Sequence, residues 1–136
     1  LVEQRSGTEW LVDRLGELCE TWDYTAVAFD SGSAAGSFQP QLERLGIRLA
    51  PEGTAGVKRA AGRLYDSVAS GQLAHWGQPE MAVAVGGAKK RDIGDAWAFG
   101  RRSSAIDITP VVATSLALIT HEDPPELPAE LLEFVY

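Results

Sequence analysis

Two carboxylates far apart in the chain occupy positions where α/β proteins do chemistry. Asp107 stands in Ile106-Asp107-Ile108-Thr109-Pro110, just ahead of an apolar run from Val111 to Ile119 that proline would open as a helix. Asp30 closes the short apolar run Ala26-Val27-Ala28-Phe29, which reads as a strand. An acid at the C-terminal end of a strand and another at a helix entrance suit a divalent-metal site, because hard cations take oxygen ligands. Each acid also has an ordinary structural reading. Asp30 could start the following turn by accepting backbone N–H bonds, and for that residue taken alone this is the readier explanation. Asp107 could offset the helix dipole. Thr109, immediately before Pro110, is already a natural N-cap, which leaves Asp107 less needed for capping.

Other residues widen the choice. Lys89, Lys90, Arg91, Arg101 and Arg102 cluster with Trp97 and Phe99 between them, a pattern that suits either a nucleic-acid backbone or a solvated hairpin with its aromatics on the core. The loop from Gly32 to Gly36 invites a phosphate-cradle reading but matches neither G-x-G-x-x-G nor the P-loop. Asp30 at its mouth would also repel a phosphate. His75, beside Trp76, is a general-base candidate but reads more readily as a structural loop residue. Cys19 falls on the apolar side of a helical pattern and is expected to be buried. With one cysteine and two histidines, a structural zinc site is not supported.

The elements that must position these residues follow from periodicity. The 136-residue length suits one domain with a real core. No run approaches the ~18 apolar residues of a membrane span. The first ten residues carry Glu3, Arg5 and Glu9 and no apolar stretch of a signal peptide. Val2 to Arg5 reads as the end of a strand. Trp10, Leu11, Leu15, Leu18, Cys19 and Trp22 recur at helical spacing with Thr8 as N-cap. A strand over 25–29 is followed by a helix over 40–45 closed by Gly46, a strand over 47–50, and a turn at Pro51-Glu52-Gly53.

Residues 54–70 form the clearest amphipathic helix, with Val57, Ala61, Leu64, Tyr65 and Val68 on one face and Gly71 at its end. Leu73 to Trp76 reads as strand or turn, and Pro79 opens a helix running to about Lys90. Residues 95–102 alternate as one arm of a hairpin turning at Gly94, and 110–120 form the last core helix. Strands alternating with helices indicate an α/β fold with a mixed or parallel sheet.

Charge is unevenly placed. The net charge is −7, yet from His121 onward there are five acids and no base, leaving 14 acids against 12 bases in the body. The body over residues 1–120 is therefore expected to be the folded domain, and 121–136 an acidic, proline-containing tail. The local basic patch, more than the overall acidity, bears on partners. The chain opens on Leu1 in strand-like sequence, as expected of a piece of a longer protein.

In order and spacing, several segments resemble the C-terminal nuclease domain of the large terminase subunit of tailed bacteriophages and prophages. They are Arg5-Ser6-Gly7-Thr8-Glu9-Trp10-Leu11, Val27-Ala28-Phe29-Asp30, Leu64-Tyr65-Asp66-Ser67-Val68, and Leu73-Ala74-His75-Trp76-Gly77-Gln78-Pro79. Gly94-Asp95-Ala96-Trp97-Ala98-Phe99 with Arg101-Arg102, leading to Asp107-Ile108-Thr109-Pro110-Val111-Val112-Ala113, completes the series, which spans roughly residues 5 to 120. The resemblance implies an RNase H-like mixed sheet flanked by helices that cuts concatemeric viral DNA during packaging, with two Mg²⁺ or Mn²⁺ ions held by carboxylates.

Carried over, Asp30 matches the inner-strand acid and Asp107 the acid before the last helix, with Asp95 a possible outer ligand. Lys89, Lys90, Arg91, Arg101 and Arg102 would contact double-stranded DNA, and the portal and small terminase subunit would be partners in the bacterial host's cytoplasm. The family's first strand, with its first carboxylate, and its ATPase domain have no counterpart here, so the metal site is expected to be incomplete. The contrasting expectation is a non-catalytic assembly or binding module in which the tail or the Trp97/Phe99 hairpin docks on a partner.

Overall fold

A computed structural model describes residues 1–126. Five α-helices surround two small sheets: α1 (Leu11–Thr21), β1 (Val27–Asp30), a 3-10 turn of helix (Ala34–Phe38), α2 (Gln39–Arg44), β2 (Leu49–Glu52), α3 (Thr54–Ala69), α4 (Pro79–Gly87), β3 (Lys90–Ile93), β4 (Ala96–Phe99) and α5 (Thr109–Glu122). The fold is mixed α/β, as the alternation of patterns indicates. Its strands form two separate pairs instead of one continuous sheet: β1 and β2 run parallel, β3 and β4 antiparallel.

The core lies between α3 and α5. On α3, Ala60, Ala61 and Leu64 are buried, and on α5 Val111, Val112, Leu116 and Ile119 form a matching stripe at helical spacing. The two alanines leave α3 little side chain on this face, which lets α5 pack close. Ile108 is buried with Ala60, Val112, Leu116 and Ile119, while Leu64, Ala84 and Val111 form a second cluster that ties in α4. Phe99 packs on both clusters and so fastens the β3–β4 hairpin to the helices.

Several local expectations are met for the stated reasons. Gly46 and Gly71 adopt φ of +70° and +69° at the ends of α2 and α3, and Gly94 turns the hairpin at +62°. Others differ. Residues 2–5 are not a strand, and 73–76 are irregular. Thr8 does not cap α1 with its side chain: the helix starts at Leu11, whose N–H donates to the Thr8 carbonyl at 3.1 Å. Pro51 and Glu52 belong to β2, where Phe29 faces Pro51 across the pair, and proline is tolerated because β2 pairs on one edge only among the described residues. The helix begun at Pro79 stops at Gly87, freeing Lys90 for β3. Cys19 is half-buried, not buried, and burial pushes its thiol up.

The acidic end does not begin as a free tail at 121. α5 continues to Glu122, whose carboxylate takes two hydrogen bonds from Arg63 of α3 at 2.8 and 2.6 Å, and Asp123 faces Arg59 at 3.5 Å. The remainder of the acidic segment, 127–136, lies outside the described residues. No described helix is long and apolar enough to cross a membrane.

Candidate functional site

Asp30 is the last residue of β1, so its side chain emerges where the strand ends and the chain turns into the loop over 31–33. One oxygen, Oδ1, accepts the Gly32 N–H at 3.0 Å, which is the turn-starting role considered from the sequence. The other, Oδ2, meets Arg101 Nη2 at 2.5 Å. Both oxygens are therefore engaged. The small-residue loop is closed on itself as well. Ser33 Oγ donates to the Asp30 carbonyl at 2.7 Å and accepts from Ala35 N–H at 3.2 Å. A Cβ at Gly36 would run into the Ser31 carbonyl oxygen, so glycine is required there by close backbone approach, not by a phosphate cradle.

Asp30 borders a cavity of about 590 Å³ whose rim also carries Arg91, Arg101 and Arg102 and whose floor is apolar, built from Val57, Ala98, Phe99 and Val112. The hairpin's register explains this. Arg91 lies opposite Ala98 and shares its face, while Lys90 and Asp92, opposite Phe99 and Trp97, take the other. The basic cluster that is continuous in sequence is therefore split in space.

Lys90 Nζ sits 4.0 Å from the Tyr65 ring centre and 4.4 Å from that of Trp97, with Tyr65 and Trp97 edge to face at 5.8 Å and Trp97 against Phe99 at 5.3 Å. Lys89 is held through its backbone, its N–H donating to Ser104 Oγ at 3.2 Å and its carbonyl accepting from Gly100 at 2.8 Å. Tyr65 had no functional signal in the sequence, where it reads as part of the core-facing stripe of α3. Its ring is half exposed and serves as a cation platform instead.

Asp107 lies at the entrance of α5 and lines a different cavity, of about 380 Å³, together with Glu3, Gln4, Gln78 and Glu80. Its Oδ1 accepts the Thr109 N–H at 2.9 Å and its Oδ2 accepts from Gln4 Nε2 at 2.9 Å. Thr109 itself is the first residue of the helix and makes no side-chain cap. The expected division of labour is thus reversed: Asp107, not Thr109, satisfies the free N–H at the helix start. Hydrogen bonds from Thr109, through its side chain and backbone, hold the Asp107 carboxyl below its ordinary range, and the Gln4 bond adds to this.

The described residues do not assemble a two-ion site. Asp30 is the one carboxylate on its cavity, and an arginine occupies it. In the second cavity Glu3 is bound by Arg5 and Arg14. No group of three or more His, Cys, Asp or Glu side chains among the described residues is placed to hold a metal ion. Asp95 is exposed in the hairpin turn after Gly94 and lines neither cavity. His75 accepts the Gly77 N–H at its Nδ1, 3.0 Å away, in an exposed local turn.

The chain matches no protein-family model, no curated protein and no solved structure.

Proposed function

We propose that the chain is the RNase H-like, nuclease-type domain of a phage or prophage DNA-packaging terminase, acting on double-stranded DNA in the bacterial host's cytoplasm, with the portal and small terminase subunit as partners. The observation that supports it is the position of Asp30. A carboxylate at the C-terminal end of a parallel strand opens onto a cavity lined by three arginines, surroundings that suit a polyanionic substrate. Mg²⁺ or Mn²⁺ bound at Asp30 would supply Lewis-acid activation. Its full ligand set would need carboxylates beyond those placed around Asp30 here, so no hydrolytic step is assigned to these residues.

The test is a calorimetric Mn²⁺ titration of the wild type and the Asp30→Asn/Asp107→Asn variant, with nicking of supercoiled plasmid assayed alongside. Binding that is lost in the variant supports the two acids as ligands. Nicking by the wild type supports endonuclease activity. No binding by either protein sinks the metal-dependent reading.

An assembly module is the second reading, favoured by one observation. Trp76 is 95% exposed, and Val83 and Val85 of α4 are 60% and 58% exposed, so large apolar side chains of this segment face solvent.

A further inference from the structure

We infer that the cavity rimmed by Arg91, Arg101 and Arg102 is a phosphate-group site in which an entering anion takes Arg101 from Asp30. Three arginines and a single carboxylate line this cavity, and among the described residues Arg101 alone of the three has an ion-pair partner. Arg91 and Arg102 make no side-chain hydrogen bond or ion pair to a described residue, so two planar, five-donor forks remain available at one opening. That surplus matches a phosphate, which carries more charge and more acceptor oxygens than a carboxylate ligand.

The apolar floor of Val57, Ala98, Phe99 and Val112 lowers the local dielectric and strengthens the attraction of anything bound at the rim. The arginines come from two connected pieces, the face of β3 and the turn after β4, and that turn is fixed. Gly100 N–H donates to Lys89 O at 2.8 Å, and Ser104 N–H donates to Gly100 O at 3.1 Å. The backbone that carries the rim is therefore held in place in the folded state.

Asp30 is the internal competitor. While its Oδ2 holds Arg101, one of the three forks is unavailable. A phosphate that recruits Arg101 also bares the Asp30 oxygen. By reciprocity, whatever draws Asp30 away from Arg101 favours the anion. The source of the phosphate, a nucleic-acid backbone, rests on the proposed function; the site itself does not depend on a metal.

The test is calorimetric titration of the 136-residue chain with inorganic phosphate in excess chelator, repeated in competition with a short oligothymidylate. Saturable phosphate binding is expected in the wild type. It should be lost in Arg91→Gln/Arg102→Gln, which keeps long polar side chains so that folding is retained, and circular dichroism checks this. Asp30→Asn should bind phosphate about two- to fivefold more tightly, the equivalent of removing one partly exposed ion pair.

Competition by the oligonucleotide assigns the site to backbone phosphates. Phosphate binding without competition supports a site for free or terminal phosphate. No saturable binding by the wild type, or binding unchanged in the double variant, overturns the site. An Asp30→Asn variant that binds no more tightly overturns the exchange with Arg101. Because metal is excluded from this titration, phosphate binding together with no Mn²⁺ binding in the metal titration would leave this site standing while the metal-dependent reading fell.

Discussion

Arg101 reaches across 71 residues of sequence to place its Nη2 2.5 Å from Oδ2 of Asp30. The contact joins the end of β1 to the turn after β4, and it sets a cation where a metal-binding carboxylate would need to be open. Arg101→Ala should therefore raise Mn²⁺ affinity relative to the wild type if Asp30 is a ligand. The same change should cost less than about 1 kcal/mol of stability, since the pair is partly exposed. Paired metal titrations and urea melts check both. Unchanged or weaker Mn²⁺ binding would argue that Asp30 serves only the turn and the ion pair.

Asp107 governs part of the acid response. Its folded-state pKa is lowered from the ordinary 3.8, so the stability it contributes is present above that value and is lost as pH falls through the lower, folded one. Asp107→Ala should remove about 1 kcal/mol at neutral pH, the usual worth of such a cap. It should also flatten the corresponding stretch of the acid limb. Asp107→Asn should retain most of the cap, because its amide oxygen can still accept the Thr109 N–H. Thermal melts from pH 2 to 7 compare the three proteins.

DNA binding should distinguish the two halves of the basic cluster. Arg91→Ala and Arg102→Ala are expected to lower the salt slope of duplex affinity by about one each, as loss of a phosphate contact does. Lys90→Ala should change that slope less, because its ammonium is engaged with the Tyr65 and Trp97 rings, and should instead shift tryptophan emission. Equal slopes for all three variants would show that the division seen in the hairpin register does not extend to binding.

Two buried hydroxyls, Ser67 Oγ on α3 and Thr120 Oγ1 on α5, have no hydrogen-bond partner among the described residues. Removing an unpartnered buried polar group relieves its desolvation cost. Ser67→Ala should therefore leave stability unchanged or raise it by up to about 1 kcal/mol, as should the nearly isosteric Thr120→Val. A loss of that size in chemical denaturation would show that these hydroxyls are satisfied in solution.

What could be read from the sequence was what local chemistry decides. The Ala61 and Leu64 part of α3's apolar face, the glycine at its end, the hairpin turn at Gly94 and the proline start of α5 each follow from residues within a few positions of one another, whereas Tyr65 and Val68, read onto the same face, are 51% and 60% exposed. Asp30 at the end of its strand was legible for the same reason. Its occupation by Arg101 was not, because that contact depends on how the hairpin docks through Phe99 onto the helical core.

Gln4, 103 residues from Asp107, carried no signal either. The capping of α5 was misassigned because Thr109 and Asp107 are both good caps, and only the helix's true first residue decides between them. Lys90 was grouped with its arginine neighbours by sequence proximity, whereas a two-residue period puts adjacent strand positions on opposite faces.

Two-stranded pairs contribute little independent stability, and here there are two of them and no larger sheet among the described residues. The packed pair of α3 and α5 must then act as the last cooperative unit to open. Backbone amides of those helices should exchange with deuterium only through global unfolding, while those of β1, β2 and the hairpin escape through smaller openings. The face that carries Asp30 and the arginines would then belong to the region that opens most readily, held to a rigid helical spine.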